Sequence, residues 1–296
     1  MDPKPFDLSL GLEDSHVLVT GGAGLIGRVV VDAFVAAGAR VSSLDIAYKG
    51  ANAVHPRVME IEADISSEES MVNAWREAVR AFGPVECCIA LASLDLSVLE
   101  HHSSAADMSL EQFKRTLEVN VGGTFLTAKL WLQGLREVLR VWSETDEPSP
   151  LYGEYRYNPS QLKNLGIVIV GSESGWFGER SNADYSASKS AVQVGLLQSL
   201  KADVPRVWDR ARANAIAPGP VDTARFKEEC RQDPNQFYAD AQATTALGKP
   251  VPIEAVARSI VFLASEKWSG NVHGQVLNVD SGKQGKLMWS RDECPR

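Results

Sequence analysis

Short, mostly apolar runs alternate with amphipathic stretches along almost the whole chain, and this alternation constrains the fold more than any other feature. Runs at residues 16–20, 40–44, 57–63, 85–92, 167–170, 212–217 and 275–279 read as strands, most of them buried on both faces. Between them, residues 25–37, 67–82, 110–141, 183–202 and 253–265 carry apolar residues at helical spacing. Ser66 or Ser67 and Ser109 are placed to cap two of these helices, and Gly83-Pro84 and Pro205 to stop two of them. Strand and helix in strict turn predict the α/β class: a single doubly wound parallel sheet of about seven strands with helices on both faces. One domain then spans residues 15–283, after a loosely ordered lead (1–14) and before a tail (284–296). Residues 142–164, rich in Pro, Tyr and charge, read as a surface insertion, being too few and too poorly periodic for a core of their own.

Composition narrows the functional classes. The net charge of −8 argues against nucleic acid or an anionic membrane as the main partner. No run of about 18 apolar residues is present, so no membrane span is expected. The first residues, MDPKPFDLSLGLEDS, lack the basic-then-apolar order of a secretory signal. The four cysteines, Cys87, Cys88, Cys230 and Cys294, suit neither a disulfide framework nor a metal site, and reduced thiols imply a cytoplasmic protein. His101 and His102 read as a solvated loop tip, so no metal is expected.

The first strand runs into Gly21-Gly22-Ala23-Gly24-Leu25-Ile26-Gly27 and then into a helix. Glycine lets backbone approach a phosphate closely, and a helix N-terminus offers free N–H groups and the positive end of its dipole. Asp45 ends the second strand, 21 positions after Gly24. That is close to the spacing of about 20 expected for the acid that binds an adenosine ribose in dinucleotide folds. A carboxylate there accepts from the 2′-hydroxyl and repels a 2′-phosphate, which favours NAD over NADP. Arg28 is the nearby base that could soften the preference.

Around the fifth-sheet-strand region the chain reads GSESGWFGERSNADYSASK, with Ser172 closing an apolar run and Tyr185 and Lys189 four residues apart. On a helix, i and i+4 share a face. A Lys ammonium one turn from a phenol favours the phenolate, lowering a pKa that starts near 10. A Tyr so tuned can exchange a proton near neutral pH, with Ser172 hydrogen-bonding a substrate oxygen. The pattern suits interconversion of an alcohol and a carbonyl. The Gly turn, Asp45, Asp64, Ser172 and Pro218-Gly219 all fall at the C-terminal ends of predicted strands, where such sheets bind ligands.

Taken together, these motifs, with Asn120 and the closing Val279-Asp280-Ser281-Gly282, resemble the short-chain dehydrogenase/reductase family over residues 14–283. The resemblance implies a Rossmann-type fold and a catalytic tetrad of Asn120, Ser172, Tyr185 and Lys189. Tyr185 would be the general acid/base, Ser172 the holder of the substrate oxygen, and Lys189 the residue that lowers the Tyr pKa and binds the nicotinamide ribose. Asn120 would hold a water linking Lys189 to solvent. The cofactor contacts it implies are Gly21, Gly24, Leu25, Ile26, Gly27, Asp45, Asp64 and Ile65 (at the adenine), Ala92, Tyr185, Lys189, Pro218, Gly219, Val221 and Thr223 (at the carboxamide). It implies an NAD(H)-dependent oxidoreductase for a secondary alcohol or ketone, assembled as a homodimer or homotetramer. Two departures stand out. Leu25 occupies a position where the usual turn has Gly, and Ala90-Leu91-Ala92-Ser93 replaces the family's Asn-Asn-Ala-Gly. They keep two other expectations open: a dinucleotide-binding protein with a non-redox role, and a nucleotide-sugar epimerase or dehydratase.

Overall fold

The computed structural model describes residues 6–143, 148–153 and 155–289. Its strands are β1 (His16–Thr20), β2 (Arg40–Asp45), β3 (Ala51–His55), β4 (Val58–Glu62), β5 (Cys87–Ala90), β6 (Gly166–Val170), β7 (Arg212–Pro218) and β8 (Val276–Val279). They form one sheet in the order β3-β4-β2-β1-β5-β6-β7-β8. All neighbours pair in parallel except β3, which runs antiparallel to β4. The sheet therefore has eight strands, one more than the sequence predicts. The extra strand, β3, is a solvent-exposed edge with no apolar face to announce it.

The helices are α1 (Leu25–Ala36), α2 (Glu68–Phe82), α3 (Leu110–Leu117), α4 (Gly123–Ser143), α5 (Ser174–Phe177), α6 (Ala183–Ser190), α7 (Leu197–Val207), α8 (Ala224–Gln232), α9 (Ile253–Ala264) and α10 (Glu266–Ser269). They cover both faces of the sheet. Side chains alternate across each central strand: Ile167 and Ile169 of β6 join the core under α2, α4 and α7, while Val168 and Val170 join the core under α1 and α9. Trp75 and Trp131 fill the first core and Phe34 the second, all fully buried. Local signals explain the ends. Ser67 accepts from the Ser70 N–H at the start of α2, Ser109 from Gln112 N–H at the start of α3, and Gly83 leaves α2 at φ +82°.

Three departures from the expected elements bear on the site. The predicted helix over 110–141 is interrupted by a π-helical segment, Glu118–Gly122, which contains Asn120. A Cβ at Gly123 would lie 2.5 Å from Ile65, so Gly123 allows close packing where the helix widens, while Gly122 faces open space. The helix carrying Tyr185 has a second π segment, Ala191–Leu196, and continues past Pro205 to Val207 rather than stopping before it. The described part of the 142–164 insertion is anchored: Tyr152 and Leu162 are buried in the α2/α4 core, and the Tyr152 hydroxyl occupies the space beside Gly134. Residues 144–147 and 154 lie outside the described residues.

The lead is likewise held down rather than loose over residues 10–14. Leu12 is fully buried, the Asn164 side-chain amide donates to Gly11 O at 2.7 Å, and Ser265 Oγ donates to Leu10 O. At the N-terminal end of β1, opposite the end that opens into the site, His16 is buried. Its Nδ1 sits 2.8 Å from Gly83 O, and its Nε2 2.8 Å from Ser42 Oγ. Burial outweighs the carbonyl contacts and lowers its pKa to about 4, so the ring is a neutral structural element.

Candidate active site

The C-terminal ends of β1, β2, β4, β5, β6 and β7 open into one cleft of about 990 Å³. Its walls include Gly21, Gly24, Leu25, Ile26, Asp45, Asp64, Ile65, Ala92, Ser172, Tyr185, Lys189, Pro218, Gly219, Val221 and Thr223. The structure thus gathers at one cleft residues spread over about 200 positions of chain. Two expected residues stand behind the wall instead. Gly27 is buried, and a Cβ there would lie 2.0 Å from Gly21 O, so it serves helix–strand packing. Asn120 is also buried, bonded to the loop after β5.

At one end of the cleft, Gly24 caps α1 without a side-chain bond, leaving the first N–H groups of the helix for a ligand. Gly21 turns at φ +74°, and a Cβ there would press on the Ala92 backbone at 2.8 Å. A Cβ at Gly24 would lie 3.2 Å from Gly21 O and from nothing else, and Gly24 itself is exposed. The floor of the turn is therefore packed and its outer face clear, a shape that fits a pyrophosphate. Asp45 accepts from Ala23 N–H at 3.0 Å with one oxygen and from Ala47 N–H at 2.9 Å with the other. It is thereby held at the cleft with lone pairs to spare for a ribose. Arg28 turns its Nε to Ala23 O at 2.9 Å. Asp64 accepts from the N–H and hydroxyl of Ser66, at 2.8 and 2.7 Å, and the hydroxyl bond holds its pKa below the usual carboxylate value. Thr223 Oγ1 accepts from Phe226 N–H at 3.1 Å and caps α8, leaving its own proton to donate.

At the other end, Ser172 and Tyr185 line the cleft together, and the Ser172 hydroxyl acts on the Tyr185 phenol to lower its pKa. Ser172 is placed by Gln193, whose Oε1 accepts the Ser172 N–H at 2.8 Å. A Cβ at Gly171 would lie 2.1 Å from that same oxygen, so the glycine before Ser172 makes room for its clamp. Lys189 Nζ lies 5.6 Å from the centre of the Tyr185 ring and donates to Val170 O at 3.0 Å and Ser93 Oγ at 3.2 Å. The expected lowering of the phenol by Lys189 is not the ruling effect here. Burial raises the Tyr185 pKa above its ordinary value, opposed by the nearby Ser172 hydroxyl and supported by Asp95 and Glu179. Burial also brings Lys189 down to about 8, opposed by Asp95.

Asn120 does not reach the reacting groups. Its Oδ1 accepts from Leu94 N–H at 2.7 Å, and its Nδ2 donates to Leu94 O at 3.0 Å and Ser188 Oγ at 3.0 Å. Ser188 Oγ in turn donates to Tyr185 O at 2.7 Å. Asn120 thus ties the loop after β5 to the turn of α6 that carries Tyr185 and Lys189. The same loop is held from β1: Thr20 Oγ1 accepts from Leu91 N–H at 3.1 Å and Ala92 N–H at 3.2 Å. Replacement of Asn-Asn-Ala-Gly therefore leaves this stretch braced.

Behind Ser172 lies a buried ionic cluster. Lys286, from the chain's C-terminal segment, pairs with Glu173 at 2.9 Å and Glu179 at 2.7 Å. Lys283 lies 3.7 Å from Glu173 and donates to Asp240 O and Thr244 Oγ1. The segment also lays Trp289 against the Arg180 guanidinium, 6.0 Å from the ring centre. Sequence reasoning missed Thr20, Ser93, Gln193 and Glu173 in these roles. Thr20 and Glu173 adjoin recognised motifs, but their partners lie about 70 and 110 positions away. Among the described residues, no three or more His, Cys, Asp or Glu are grouped to hold a metal, and no helix is long and apolar enough to cross a membrane.

A doubly wound sheet with a glycine turn at β1 and a Ser–Tyr–Lys group at the end of β6 defines a dinucleotide-fold protein of the oxidoreductase type. The chain belongs to the short-chain dehydrogenase/reductase family. The short chain dehydrogenase profile matches residues 15–139, and the enoyl-(acyl carrier protein) reductase profile matches residues 158–284. The chain is 30% identical over 273 residues to an acetoacetyl-CoA reductase of Synechocystis sp., covering 92% of this chain and 98% of that one. It is 30% identical over 283 residues to a cis-1,2-dihydrobenzene-1,2-diol dehydrogenase of Pseudomonas putida, covering 92% of each. A solved short-chain dehydrogenase/reductase from Brucella melitensis shares the fold, with a TM-score of 0.69 at 22% identity over 92% of this chain and 97% of the other.

Proposed function

We propose that the protein is an NAD(H)-dependent oxidoreductase that interconverts a secondary alcohol and a ketone. The observation that carries this reading is the meeting of Ser172, Tyr185 and Lys189 in the cleft that also contains the glycine turn and Asp45. A bound nicotinamide dinucleotide would supply or accept the hydride. Gly21, Gly24, Leu25 and Ile26 would hold its phosphates, Asp45 its adenosine ribose, and Asp64 with Ile65 its adenine. Ala92, Pro218, Gly219, Val221 and Thr223 would line the nicotinamide half. In the reduction direction the Tyr185 hydroxyl donates its proton to the substrate oxygen, and in oxidation it takes that proton back. Ser172, beside Tyr185 in the cleft, holds the same oxygen and excludes other orientations. Lys189 presents its ammonium beside the phenol and favours the phenolate that each turnover creates.

Asp45 supports NAD over NADP, because a 2′-phosphate would face a carboxylate already fixed by two backbone donors. The non-redox reading drew on the missing Asn-Asn-Ala-Gly, and Thr20 and Asn120 supply that brace by other means. The substrate class follows the relatives: a β-hydroxyacyl thioester or a vicinal cis-diol. Incubation with NAD and a panel of both classes, read by nicotinamide absorbance, should reveal turnover with at least one member. A redox-inactive protein across the panel, in both directions and with both coenzymes, would contradict the proposal.

A further inference from the structure

We propose that Ser93 is a positioning residue for Lys189: its hydroxyl fixes the ammonium in the cleft and stabilises its charged form. The proposal rests on Lys189 belonging to the active site, as the proposed function has it. Lys189 is 4% exposed, and a buried ammonium is costly unless its donors find acceptors. Two acceptors are present. Val170 O at 3.0 Å belongs to the sheet and cannot move, and Ser93 Oγ at 3.2 Å lies across the cleft. Together they span the ammonium between β6 and the loop after β5. The third N–H is left for whatever occupies the cleft.

The placement of Ser93 is over-determined. The residue before it is bonded through its N–H to Thr20 Oγ1, and the residue after it through both N–H and C=O to Asn120. A backbone clamped on both sides of one residue presents that side chain in one place. The loop continues in the same manner. Asp95 accepts from the N–H of Ser97 at 2.8 Å and from its hydroxyl, and Arg225 of α8 donates to Ser97 O at 2.5 Å. The groups facing Lys189 are few. The loop offers Ser93 and Asp95, α6 offers Tyr185, and the end of β6 offers the Val170 carbonyl and Ser172. The π segment before α4 offers Asn120 only behind the loop, and Arg115 of α3 lines the cleft. Asp95 is the carboxylate whose charge acts on Lys189. The hydrogen bonds of Lys189 go to Val170 O and Ser93 Oγ, so Asp95 acts through its charge and the direct side-chain bond is that of Ser93.

The test is the titration of Lys189 in the free, full-length protein. It is read from the side-chain shifts of carbon-13-labelled lysine, with the resonance assigned by Lys189→Arg. No substrate or nicotinamide is needed, so the result stands apart from whether the proposed reaction is found. Ser93→Ala should move the midpoint to lower pH by about one unit, since a hydrogen bond to a charged group is worth roughly 1.5–3 kcal/mol and one unit corresponds to about 1.4. Ser93→Thr, which keeps the hydroxyl, should retain the wild-type midpoint. Equal midpoints in wild type and Ser93→Ala, or no titration in either, overturn the proposal. A midpoint lowered as much by Thr as by Ala also overturns it, because packing at position 93 rather than the hydroxyl would then be responsible.

Discussion

Replacement of Tyr185 by Phe is expected to leave nicotinamide coenzyme binding close to wild type and to reduce turnover by about 10²–10⁴-fold, the usual worth of a positioned general acid or base. The ring of Tyr185 is packed and the Lys189 ammonium lies 5.6 Å from its centre, so Phe preserves the shape of the cleft and the environment of Lys189. What it removes is the hydroxyl that lies in the cleft with Ser172 and can reach a substrate oxygen. The loss should therefore appear in kcat and kcat/KM together, as for an interaction made chiefly in the transition state. Ser172→Ala should retain Tyr185 and so keep more activity than Tyr185→Phe. Turnover near wild type in the Phe variant would show that the proton comes from elsewhere. Coenzyme binding lost along with turnover would instead mean that the substitution had collapsed the cleft.

The largest effect on stability is expected from Lys286→Met. Lys286 lies between Glu173 and Glu179, and the Glu173 side chain is 7% exposed, its Oε2 having no hydrogen-bond partner among the described residues. Removing Lys286 leaves the buried Glu173 charge only the longer 3.7 Å contact to Lys283, at a cost approaching the roughly 3–5 kcal/mol of an uncompensated buried charge. For a chain of this size that corresponds to a fall in Tm of roughly 6–10 °C. The pH dependence has a definite sign. Burial raises the Glu173 pKa, against the pull of Lys286 and Lys283. A carboxyl whose folded pKa lies above its unfolded value favours folding most when protonated, and that contribution is lost as pH rises through the folded value. Removing Lys286 raises it further, so the variant should be least stable in the alkaline range and recover part of the loss toward acid pH. Adding Glu173→Gln should restore much of the stability at neutral pH, since the buried charge is then gone as well. A Lys286→Met variant within about 1 kcal/mol of wild type would mean that the pair behaves as a solvated surface bridge.

The parts of the fold that could be read from the chain are those whose cause is local. β1, β6 and β7 are buried at every position and mostly apolar because a parallel sheet is covered on both faces, and this is visible one strand at a time. β3 was missed because its five residues are all exposed and its pairing with β4 depends on a turn rather than on burial. The π segments at Glu118–Gly122 and Ala191–Leu196 were missed for a different reason. One extra residue in a turn hardly disturbs helical periodicity, yet it sets Asn120 against Leu94 and places Gln193 under Ser172. The glycine pair after Asn120 was the visible trace of the first.

For the site, Tyr185 and Lys189 announce themselves by spacing on one helix, and Asp45 by its distance from Gly24. Ser93 carries no such mark. Its meaning arises when β5 and β6 lie side by side and bring the loop after one within reach of the helix after the other. The C-terminal cluster is of the same kind, joining Glu173 to Lys286 over more than a hundred residues. The sequence reading expected Lys189 to govern the Tyr185 phenol, whereas in the folded protein burial dominates both groups. Spacing reports which groups meet, while desolvation depends on everything packed around them.

The central claim is that the cleft is built for a nicotinamide dinucleotide with a free 2′-hydroxyl. It is tested most directly by titrating the purified protein with NADH and NADPH side by side, following nicotinamide fluorescence. The account predicts saturable binding of both and tighter binding of NADH, because Asp45 is fixed by Ala23 and Ala47 at the ribose end of the cleft. Tighter binding of NADPH would contradict the role given to Asp45. Binding of neither would contradict the claim itself.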